Sequence, residues 1–274
     1  MANLEAIIPV KDRCELKQCV ESLLDAIAIT KITICDGGSS DLAYLQEIAQ
    51  NDRICVLNLP SEGFNKSKLL NYAIACSRSE LLLISDADII WNQAAINVLI
   101  ETVRVNTICC VETVEESELN TVALVRDRYT YNISIDSDRA VVEIVPWSYA
   151  DSDLRPGCGL ICASRNTLIS LGGYKEIFTG WGWEDQDLLM RAKLLGIKVE
   201  VAGRVMHLSH SDLIRNRYCD NIEPSQTRNN NIITCLKSLA QGIMLGDLQV
   251  KVTNLPKSCN LDVRLPKNLS QIIQ

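Results

Sequence analysis

The feature that most constrains the fold is an alternation of short apolar runs with amphipathic segments between residues 4 and 116. The apolar runs, which predict strands, are LEAIIPV (4–10), KITICDGG (31–38), RICVLNLP (53–60), ELLLISDAD (80–88) and ICCVETVEE (108–116). A 3.6-residue period predicts helices over residues 14–28, 41–50, 66–77 and 92–105. Strands joined by helices pair in parallel through right-handed crossovers. The pattern therefore predicts an α/β fold with a mostly parallel sheet and helices on both faces.

The pattern changes after residue 116. Behind a polar, charge-mixed region (117–140), strands are predicted over 141–150, 159–165 and 198–210, and helices over 166–174, 183–196 and 229–245. Gly196 is placed to end the second of these helices. We find no internal repeat and no clear linker, so we expect one continuous core. Its predicted divisions are residues 1–116, residues 117–215 and a C-terminal helical extension, 216–274.

Composition and charge narrow the class of partner. The 274 residues include 27 basic and 34 acidic side chains, for a formal net charge of -7. This charge argues against a nucleic acid bound over a broad surface, so an anionic ligand must be met locally, by a metal ion or a few placed cations. The twelve cysteines lack a CxxC pair, which favours buried thiols in a reducing compartment over a disulfide framework or a zinc ribbon.

The sequence offers no candidate for a membrane span. No run approaches the roughly 20 continuous apolar residues that a span needs, and residues 1–9 do not resemble a signal peptide. We therefore expect a cytoplasmic protein without a transmembrane segment, for which a peripheral membrane contact stays open. The pattern indicates no oligomeric state.

Two carboxylates follow the fourth predicted strand. Asp86 and Asp88 come directly after ELLLIS, at the carboxyl end of the strand, where open parallel sheets bind their ligands. Acids one residue apart are suited to hold a hard divalent cation, which can in turn hold a diphosphate. The alternative is that Asp88 caps the next helix.

A polar turn, CDGGSSD (35–41), follows the second predicted strand. Its glycines allow the backbone to approach a ligand closely, and Asp36 is then placed to accept a hydrogen bond from a ring N–H of a base. An ordinary strand-to-helix turn, with Asp41 as the helix cap, explains the same residues.

His207 and His210 are the only histidines in the sequence, and both lie at the end of a predicted strand. Neutral imidazole is a common ligand of transition metals, and imidazole together with the Asp88 carboxylate suits manganese better than calcium. A structural role for the histidines is the alternative.

The stretch FTGWGWEDQDL (178–188) places two tryptophans directly ahead of three acids. The indole faces of Trp181 and Trp183 offer stacking surfaces for a sugar ring, and a neighbouring carboxylate is placed to act as a general base on a bound hydroxyl. The helix macrodipole explains acids at a helix start, but it leaves the tryptophans unexplained.

Taken in order, DGGSSD, DAD, GWGWEDQD and HxxH resemble the metal-dependent GT-A glycosyltransferases of the family 2 type, especially the β-1,4-galactosyltransferase and chondroitin-polymerase group. The resemblance covers roughly residues 4–215. It implies a GT-A fold, in which a Rossmann-like nucleotide-binding sheet is fused to a smaller acceptor-binding part. Residues 1–116 then form the nucleotide-sugar-binding half, and residues 117–215 form the acceptor-binding and catalytic half.

The resemblance also implies roles for individual residues. The nucleotide-binding set is Pro9, Val10, Arg13 and Asp36 in a uridine pocket, together with Asp86. The metal-binding set is Asp88, His210 and His207, with Mn²⁺ (or Mg²⁺) as the cofactor. His207 falls where those enzymes can use a methionine, so the set has one or two imidazole ligands. The catalytic pair is Asp185 as the base and Glu184 as the acid that holds sugar hydroxyls. The acceptor-binding set is Trp181, Trp183 and Asp187.

The reaction that the resemblance implies is a metal-dependent, inverting transfer of a hexose or N-acetylhexosamine. The donor is a UDP-sugar, and the acceptor is a glycan, polysaccharide or glycolipid. Closure of residues 180–183 over the donor would exclude water. Two alternatives remain, a nucleotidyltransferase acting on a sugar phosphate and a non-catalytic sugar-binding module. Against the nucleotidyltransferase, the sequence has no glycine-rich, Lys/Arg-bearing triphosphate loop after the first strand. Against the sugar-binding module, such a protein does not need acids at strand ends.

Overall fold

The computed structural model describes residues 3–118, 128–136, 139–147, 154–211, 214–220, 222–248, 260–266 and 269. The strands are β1 (Leu4–Val10), β2 (Ile29–Asp36), β3 (Ile54–Asn58), β4 (Leu81–Ile84), β5 (Ile89–Ile90), β6 (Thr107–Glu116), β7 (Arg128–Ile135), β8 (Arg139–Trp147), β9 (Leu154–Ser164), β10 (Lys198–His207) and β11 (Asn260–Arg264). The helices are α1 (Leu16–Leu24), α2 (Leu42–Ile48), α3 (Lys66–Cys76), α4 (Gln93–Thr102), α5 (Arg165–Ser170), α6 (Glu184–Leu194) and α7 (Pro224–Ala240). The end of the strand predicted over 141–150 and much of the predicted extension lie outside the described residues.

The larger sheet has the order β3-β2-β1-β4-β9-β6-β10-β5. The pairs β1/β2, β1/β4, β2/β3 and β6/β10 are parallel. Strand β9 runs antiparallel to both β4 and β6, which makes β4 and β6 point in the same direction. The carboxyl ends of β1, β4, β6 and β10 therefore meet at one edge of the sheet. The predicted α/β architecture is confirmed, with β9 as an inserted antiparallel strand.

Helices cover both faces of this sheet. All seven residues of β1 are buried. One apolar cluster contains buried residues of α1 and α4, and a second contains buried residues of α3, α5 and α6. Each fully buried leucine or isoleucine in these clusters contributes about 1.5–3 kcal/mol to folding. A sheet that is buried on both sides explains why the first five predicted strands read as continuous apolar runs.

A second, three-stranded sheet has the order β11-β8-β7. Strand β7 pairs antiparallel with β8, and β11 pairs in parallel with β8. The sequence predicts no element over residues 117–140, so β7 is not among the predicted strands. Alternate residues of β8, among them Val142 and Ile144, are buried against Trp183 and α7. This sheet has one covered face, so its strands alternate and give a weaker sequence signal.

The cysteines in the described part of the chain are all free thiols. Cys19, Cys35, Cys162 and Cys235 are buried, as expected, whereas Cys76 is exposed. No helix among the described residues has the length and apolarity needed to cross a membrane.

Candidate active site

A cavity of about 340 Å³ opens at the edge where the strand carboxyl ends meet. Most of the residues singled out from the sequence line it: Pro9, Val10, Arg13, Asp86, Asp88, Trp181, Trp183, Glu184, Asp185, His207 and His210. The cavity is therefore built from parts of the chain that are up to 200 residues apart. Asp36 and Asp187 do not line it.

Asp88 and the two histidines form a compact cluster at one end of the cavity. One ligand atom from each residue lies within 4.8 Å of the others. The Asp88 Oδ2 atom is 3.2 Å from His210 Nε2 and 3.6 Å from His207 Nε2. Arg13 donates to the same oxygen at 2.5 Å. The alternative of Asp88 as a helix cap is wrong, because Asn92 caps α4.

Strand pairing explains why the histidines lie next to Asp88. Strand β5 follows Asp88 directly and pairs antiparallel with the end of β10, with His207 opposite Ile89. The backbone N–H of Leu208 then donates to the Asp88 carbonyl oxygen at 2.8 Å. These backbone contacts fix the spacing of the cluster without any help from its side chains.

Glu116 is a contact of the histidine cluster that the sequence reading missed. It is the last residue of β6 and lies opposite His207 in the parallel ladder. The Glu116 Oε2 atom is 2.6 Å from His207 Nδ1, and Arg155 donates to its other oxygen at 3.0 Å. With a carboxylate on Nδ1, His207 presents its Nε2 atom to Asp88. Carboxylates behind metal-binding histidines orient the imidazole in this way.

The ionisation of this end follows from these contacts. Burial alone would raise the pKa of Asp88, but the hydrogen bonds from the two imidazoles and the charge of Arg13 hold it well below its ordinary value. Glu116 is half-buried, yet His207 and Arg155 lower its pKa to about 2. Burial alone would lower the pKa of His207. The contacts with Asp88 and Glu116 outweigh burial, so the pKa of His207 is raised above its ordinary value. Both carboxylates are therefore anions at neutral pH.

The chemistry of the donor set fits a divalent transition metal. One buried carboxylate and two imidazoles, with a second carboxylate behind one imidazole, match the ligand types that Mn²⁺ accepts. The Arg13 guanidinium and the Nε2 atoms of both imidazoles lie within 3.6 Å of the single oxygen Asp88 Oδ2, so this carboxylate is the centre of the cluster.

A second ionic cluster lines the same cavity and centres on Lys66; we call it the Lys66 end of the cavity, and the cluster of Asp88 and the histidines the metal end. Its Nζ atom is 2.9 Å from Asp86 Oδ1, 2.9 Å from Asp185 Oδ2 and 3.8 Å from Glu184 Oε1. The second oxygens of Glu184 and Asp185 are buried and accept no hydrogen bond. Such unsatisfied buried atoms are rare and point to a functional role. Burial raises the pKa of Asp185 to about 7, and Lys66 opposes that rise.

The turn before α6 has a strained geometry. Trp183 occupies the N-cap position with a positive φ of 82° and makes no side-chain cap, a conformation that is uncommon for a residue other than glycine. Its indole is only 6% exposed and packs with Phe178 and Met190. Trp183 thus lines the cavity from within the core, so the expected open stacking face is largely covered. At the other terminus of α6, Gly196 follows the C-cap residue Leu195 with a φ of 77°, as predicted for the glycine that ends this helix.

The segment 180–183, which is predicted to close over the donor, is hydrogen-bonded to α7 together with the preceding Thr179. Asn231 Nδ2 donates to the carbonyl oxygens of Gly182 and Thr179 at 2.7 and 3.1 Å. Thr227 donates to the carbonyl oxygen of Trp181 at 3.0 Å. The Arg215 guanidinium lies 4.5 Å from the centroid of the Trp181 ring. Closure of this segment stays a prediction.

The structure corrects the prediction for Asp187. Its side chain is fully buried on the core side of α6, where Arg191 Nε donates to it at 2.7 Å and Lys175 Nζ lies at 3.2 Å. Side chains two positions apart on a helix point in nearly opposite directions, so Asp185 and Asp187 cannot both face the cavity. Asp187 therefore cannot bind an acceptor, and it anchors the helix instead.

Asp36 lies in the turn after β2. The carboxylate is 2% exposed and accepts hydrogen bonds from the backbone N–H groups of Gly38 and Ser39 and from the Ser39 hydroxyl. These contacts shape the turn, and the contact of Asp36 with a base stays a prediction. Asp41 caps α2 by accepting from the N–H of Tyr44, as the alternative reading expected.

The loop after β1 carries further cavity residues that the sequence reading missed. Lys11 Nζ donates to the Ser61 carbonyl oxygen at 2.6 Å and lies 4.7 Å from the centroid of the Tyr218 ring. The Tyr218 hydroxyl in turn donates to Asp12. These contacts close the cavity beside Pro9 and Val10 with one aromatic ring and several cations.

Two family models match the chain. The model described as "Glycosyl transferase family 2" matches residues 5–149, and the one described as "N-terminal domain of galactosyltransferase" matches residues 144–211. Together they cover both ionic clusters of the cavity. No curated protein gives a significant sequence match.

Three solved structures illustrate the similarity of the fold. GalNAc-T7 with UDP, GalNAc and Mn²⁺ aligns at a TM-score of 0.58 and 14% identity, over 86% of this chain and 48% of that one. The mannosyltransferase PcManGT from Pyrobaculum calidifontis, in complex with GDP-Man and Mn²⁺, aligns at 0.54 and 12%, over 89% and 68%. S. aureus TarS 1-349 aligns at 0.52 and 12%, over 85% and 70%. The present chain thus spans under half of the GalNAc-T7 chain. At these identities the likeness establishes the GT-A fold alone.

Proposed function

Because the chain belongs to glycosyl transferase family 2, we propose that it transfers a hexose or N-acetylhexosamine from a UDP-sugar to a glycan, polysaccharide or glycolipid acceptor, with inversion at the anomeric carbon. The observation that carries this proposal is the convergence of two ionic clusters in one cavity. Asp88, His207 and His210 lie at one end, and Asp185 lies at the other with an unsatisfied carboxylate oxygen.

The nucleotide occupies the end of the cavity beside Pro9, Val10 and Arg13. This end carries the cations Lys11 and Arg13 in a protein whose net charge is negative. A diphosphate is therefore attracted to a local concentration of positive charge, which the chain as a whole does not provide.

The metal site consists of Asp88, His207 and His210, with Glu116 orienting His207. When Mn²⁺ or Mg²⁺ is bound there, it neutralises the charge that develops on the departing diphosphate. The low pKa values of Asp88 and Glu116 keep both carboxylates ionised for this task at neutral pH.

Asp185 acts as the general base. As the acceptor oxygen bonds to the anomeric carbon, its proton passes to the Asp185 carboxylate, and the bond between that carbon and the diphosphate oxygen breaks on the opposite face. A single displacement of this kind inverts the anomeric configuration. A base is most effective when its pKa lies near the working pH, and the pKa of Asp185 is raised by burial to about 7. Glu184, beside it, accepts hydrogen bonds from sugar hydroxyls.

The test is a donor screen on the purified protein. UDP-galactose, UDP-N-acetylgalactosamine, UDP-N-acetylglucosamine, UDP-glucose and GDP-mannose are each assayed with Mn²⁺ or with EDTA. A donor that binds the native state raises Tm, and slow hydrolysis or transfer releases UDP. We expect one UDP-sugar to raise Tm and release UDP only with Mn²⁺.

Other outcomes of this screen contradict the proposal in distinct ways. Stabilisation by GDP-mannose alone removes the uridine assignment. Pyrophosphate release from a nucleoside triphosphate and a sugar phosphate favours the nucleotidyltransferase. Glycan binding without any turnover, unaffected by UDP and Mn²⁺, favours the sugar-binding module.

A further inference from the structure

Lys66 connects the two halves of the cavity. It is the first residue of α3, and its Nζ atom is equidistant, at 2.9 Å, from a carboxylate oxygen of Asp86 and one of Asp185. These acids come from the turn after β4 and from the start of α6, which are about 100 residues apart in the chain. The Lys66 side chain is 14% exposed, and that of Asp185 is 13% exposed. This pair is therefore a shielded contact, in which the charge of each group acts strongly on the other.

We propose that Lys66 is a positioning residue for Asp185: its ammonium group fixes the orientation of the carboxylate and favours the ionised form that receives the proton of an acceptor hydroxyl. The role of Asp185 as a general base rests on the proposed function. The control of its ionisation by Lys66 rests on the geometry of the ion pair alone.

The backbone around Lys66 supports a positioning role. The preceding residue, Asn65, caps α3 by accepting from the N–H of Lys68, and its Nδ2 atom donates to the Glu176 carbonyl oxygen at 2.8 Å. The same amide lies 3.4 Å from the Phe178 carbonyl oxygen. The start of α3 is thus attached to the segment that leads into the catalytic turn. Asn65 therefore binds the backbone of that segment, and Lys66 binds the carboxylate of Asp185 at the start of α6.

The space around the pair is closely fitted. A Cβ atom at Gly159 would lie 2.5 Å from Asp185 Oδ2 and 3.3 Å from Lys66 Nζ. Glycine at this position of β9 therefore leaves the room in which the carboxylate and the ammonium group meet. A larger residue at position 159 would therefore displace the carboxylate from the ammonium group.

The charges around Asp185 oppose one another. The groups that act on it are the cation Lys66 on α3, the acids Asp86 and Glu184, and the neutral groups Tyr174, Cys110 and Cys158. Burial and the two acids favour the protonated form of Asp185, and Lys66 favours the ionised form. Removal of the Lys66 charge must therefore raise the pH at which Asp185 titrates, and removal of the Glu184 charge must lower it.

The direct experiment is a carboxyl titration by ¹³C NMR on the full chain, with γ-¹³C-labelled aspartate. Asp185→Asn identifies the Asp185 signal by its disappearance. An opposite charge within hydrogen-bonding distance lowers an aspartate pKa by about 1–3 pH units, so Lys66→Met should raise the midpoint of Asp185 by about 1–3 pH units. Lys66→Arg keeps the charge and should restore most of the wild-type midpoint. Lys68→Met, on the exposed side of the same helix, is the matched control and should leave the midpoint unchanged.

Glu184→Gln is a second variant, expected to shift the titration midpoint of Asp185 in the opposite direction. It provides the test of the charge balance if Lys66→Met does not fold. Its midpoint should fall below that of the wild type, because one of the two acids is gone. An Asp185 signal that titrates at the same pH in wild type and in Lys66→Met overturns the proposal, whatever the midpoint of Glu184→Gln.

A kinetic arm separates this inference from the proposed function. With the donor found in the screen, the acid limb of the kcat/KM profile should move upward in Lys66→Met by the same amount as the NMR midpoint. Shifted NMR midpoints in a protein that transfers no sugar leave the positioning role standing and reject the transferase. Sugar transfer whose acid limb and NMR midpoint are both unmoved by Lys66→Met rejects the positioning role alone.

Discussion

The two ends of the cavity use similar residues to opposite effect. At one end, Asp88 is hydrogen-bonded to His210 and Arg13 and lies 3.6 Å from His207, and its pKa is held well below the ordinary value. At the other end, Asp185 is paired with the single ammonium group of Lys66 beside another acid, and burial raises its pKa to about 7. The type of side chain is the same, so the difference comes from the number of donors and the balance of charge around each carboxylate.

This difference suits the two ends to different tasks. A carboxylate with several cationic donors stays ionised over the whole physiological pH range, as a metal ligand must. A carboxylate with a raised pKa can take up a proton and release it again near neutral pH, as a base must. Pairs of titratable groups with diverging pKa values are a recurrent mark of acid–base assignment in active sites.

The largest expected effect comes from loss of the base. Asp185→Asn keeps the size of the side chain but cannot accept the hydroxyl proton, so kcat should fall by about 10²–10⁴-fold. Binding of UDP and Mn²⁺ at the other end should persist, which thermal shift or calorimetry checks. An Asp185→Asn enzyme with full transfer activity removes the base from the proposed mechanism.

Loss of a ligand at the metal end should have the next largest effect. His210→Ala removes one of the three donor groups, and we expect a loss of activity on the order of 10²-fold at a fixed, low Mn²⁺ concentration. Excess Mn²⁺ should recover part of this loss, whereas it should recover none in Asp185→Asn. Equal rescue of both variants, or of neither, abolishes the functional distinction between the two ends.

The strands of the larger sheet are predictable from the sequence, because a sheet buried on both faces has continuous apolar runs as its strands. The run LEAIIPV coincides residue for residue with β1, and ICCVETVEE with all but the first residue of β6. The placement of Asp88, His207 and His210 at strand ends followed from the expectation of parallel pairing. Their actual proximity depends on β5 and on the antiparallel insertion of β9, which no local pattern encodes.

The sequence did not reveal Lys66, because a lysine at the start of an amphipathic helix is usually solvated. Its partners come from distant elements, and only the strand order brings them together. For Asp187 a signal was present: Arg191 lies four positions later, which is the spacing of a helical ion pair. Helical geometry also places Asp187 on the side away from Asp185, so the sequence contains the information that separates Asp187 from the cavity residues. The orientation of Asp36 depends on a turn whose conformation its residues alone do not fix.

A smaller effect should follow from Glu116→Gln, which tests the support of the metal end rather than its ligands. The amide can still contact His207, but it no longer stabilises the orientation of the imidazole with a full negative charge. Loss of such a second-shell partner costs about 10–100-fold in metal affinity. Isothermal titration with Mn²⁺ measures it, with Glu115→Gln, the preceding residue, as the matched control. Unchanged affinity in Glu116→Gln contradicts the second-shell role.

The smallest effect concerns the stability of the metal-free protein, and it has opposite signs at the two ends. The pKa of Glu116 is lowered on folding to about 2, so its contribution to stability is present above its unfolded pKa and is lost as the pH falls towards 2. The pKa of Asp185 is raised to about 7, so the folded state holds a proton that the unfolded state has released. Its ionisation therefore costs stability progressively as the pH rises from about 4 to 7.

Urea unfolding of wild type, Glu116→Gln and Asp185→Asn at several pH values separates these two contributions. Relative to Glu116→Gln, the wild type should lose on the order of 1–3 kcal/mol as the pH falls below about 4. Relative to Asp185→Asn, it should lose a similar amount as the pH rises from about 4 to 7. A fixed cost of mutation, such as an unpaired Lys66, shifts each curve without changing its slope. Slopes of the same sign for both variants mean that the two carboxylates occupy equivalent electrostatic environments, and the division of the cavity into a fixed anion and a poised base then fails.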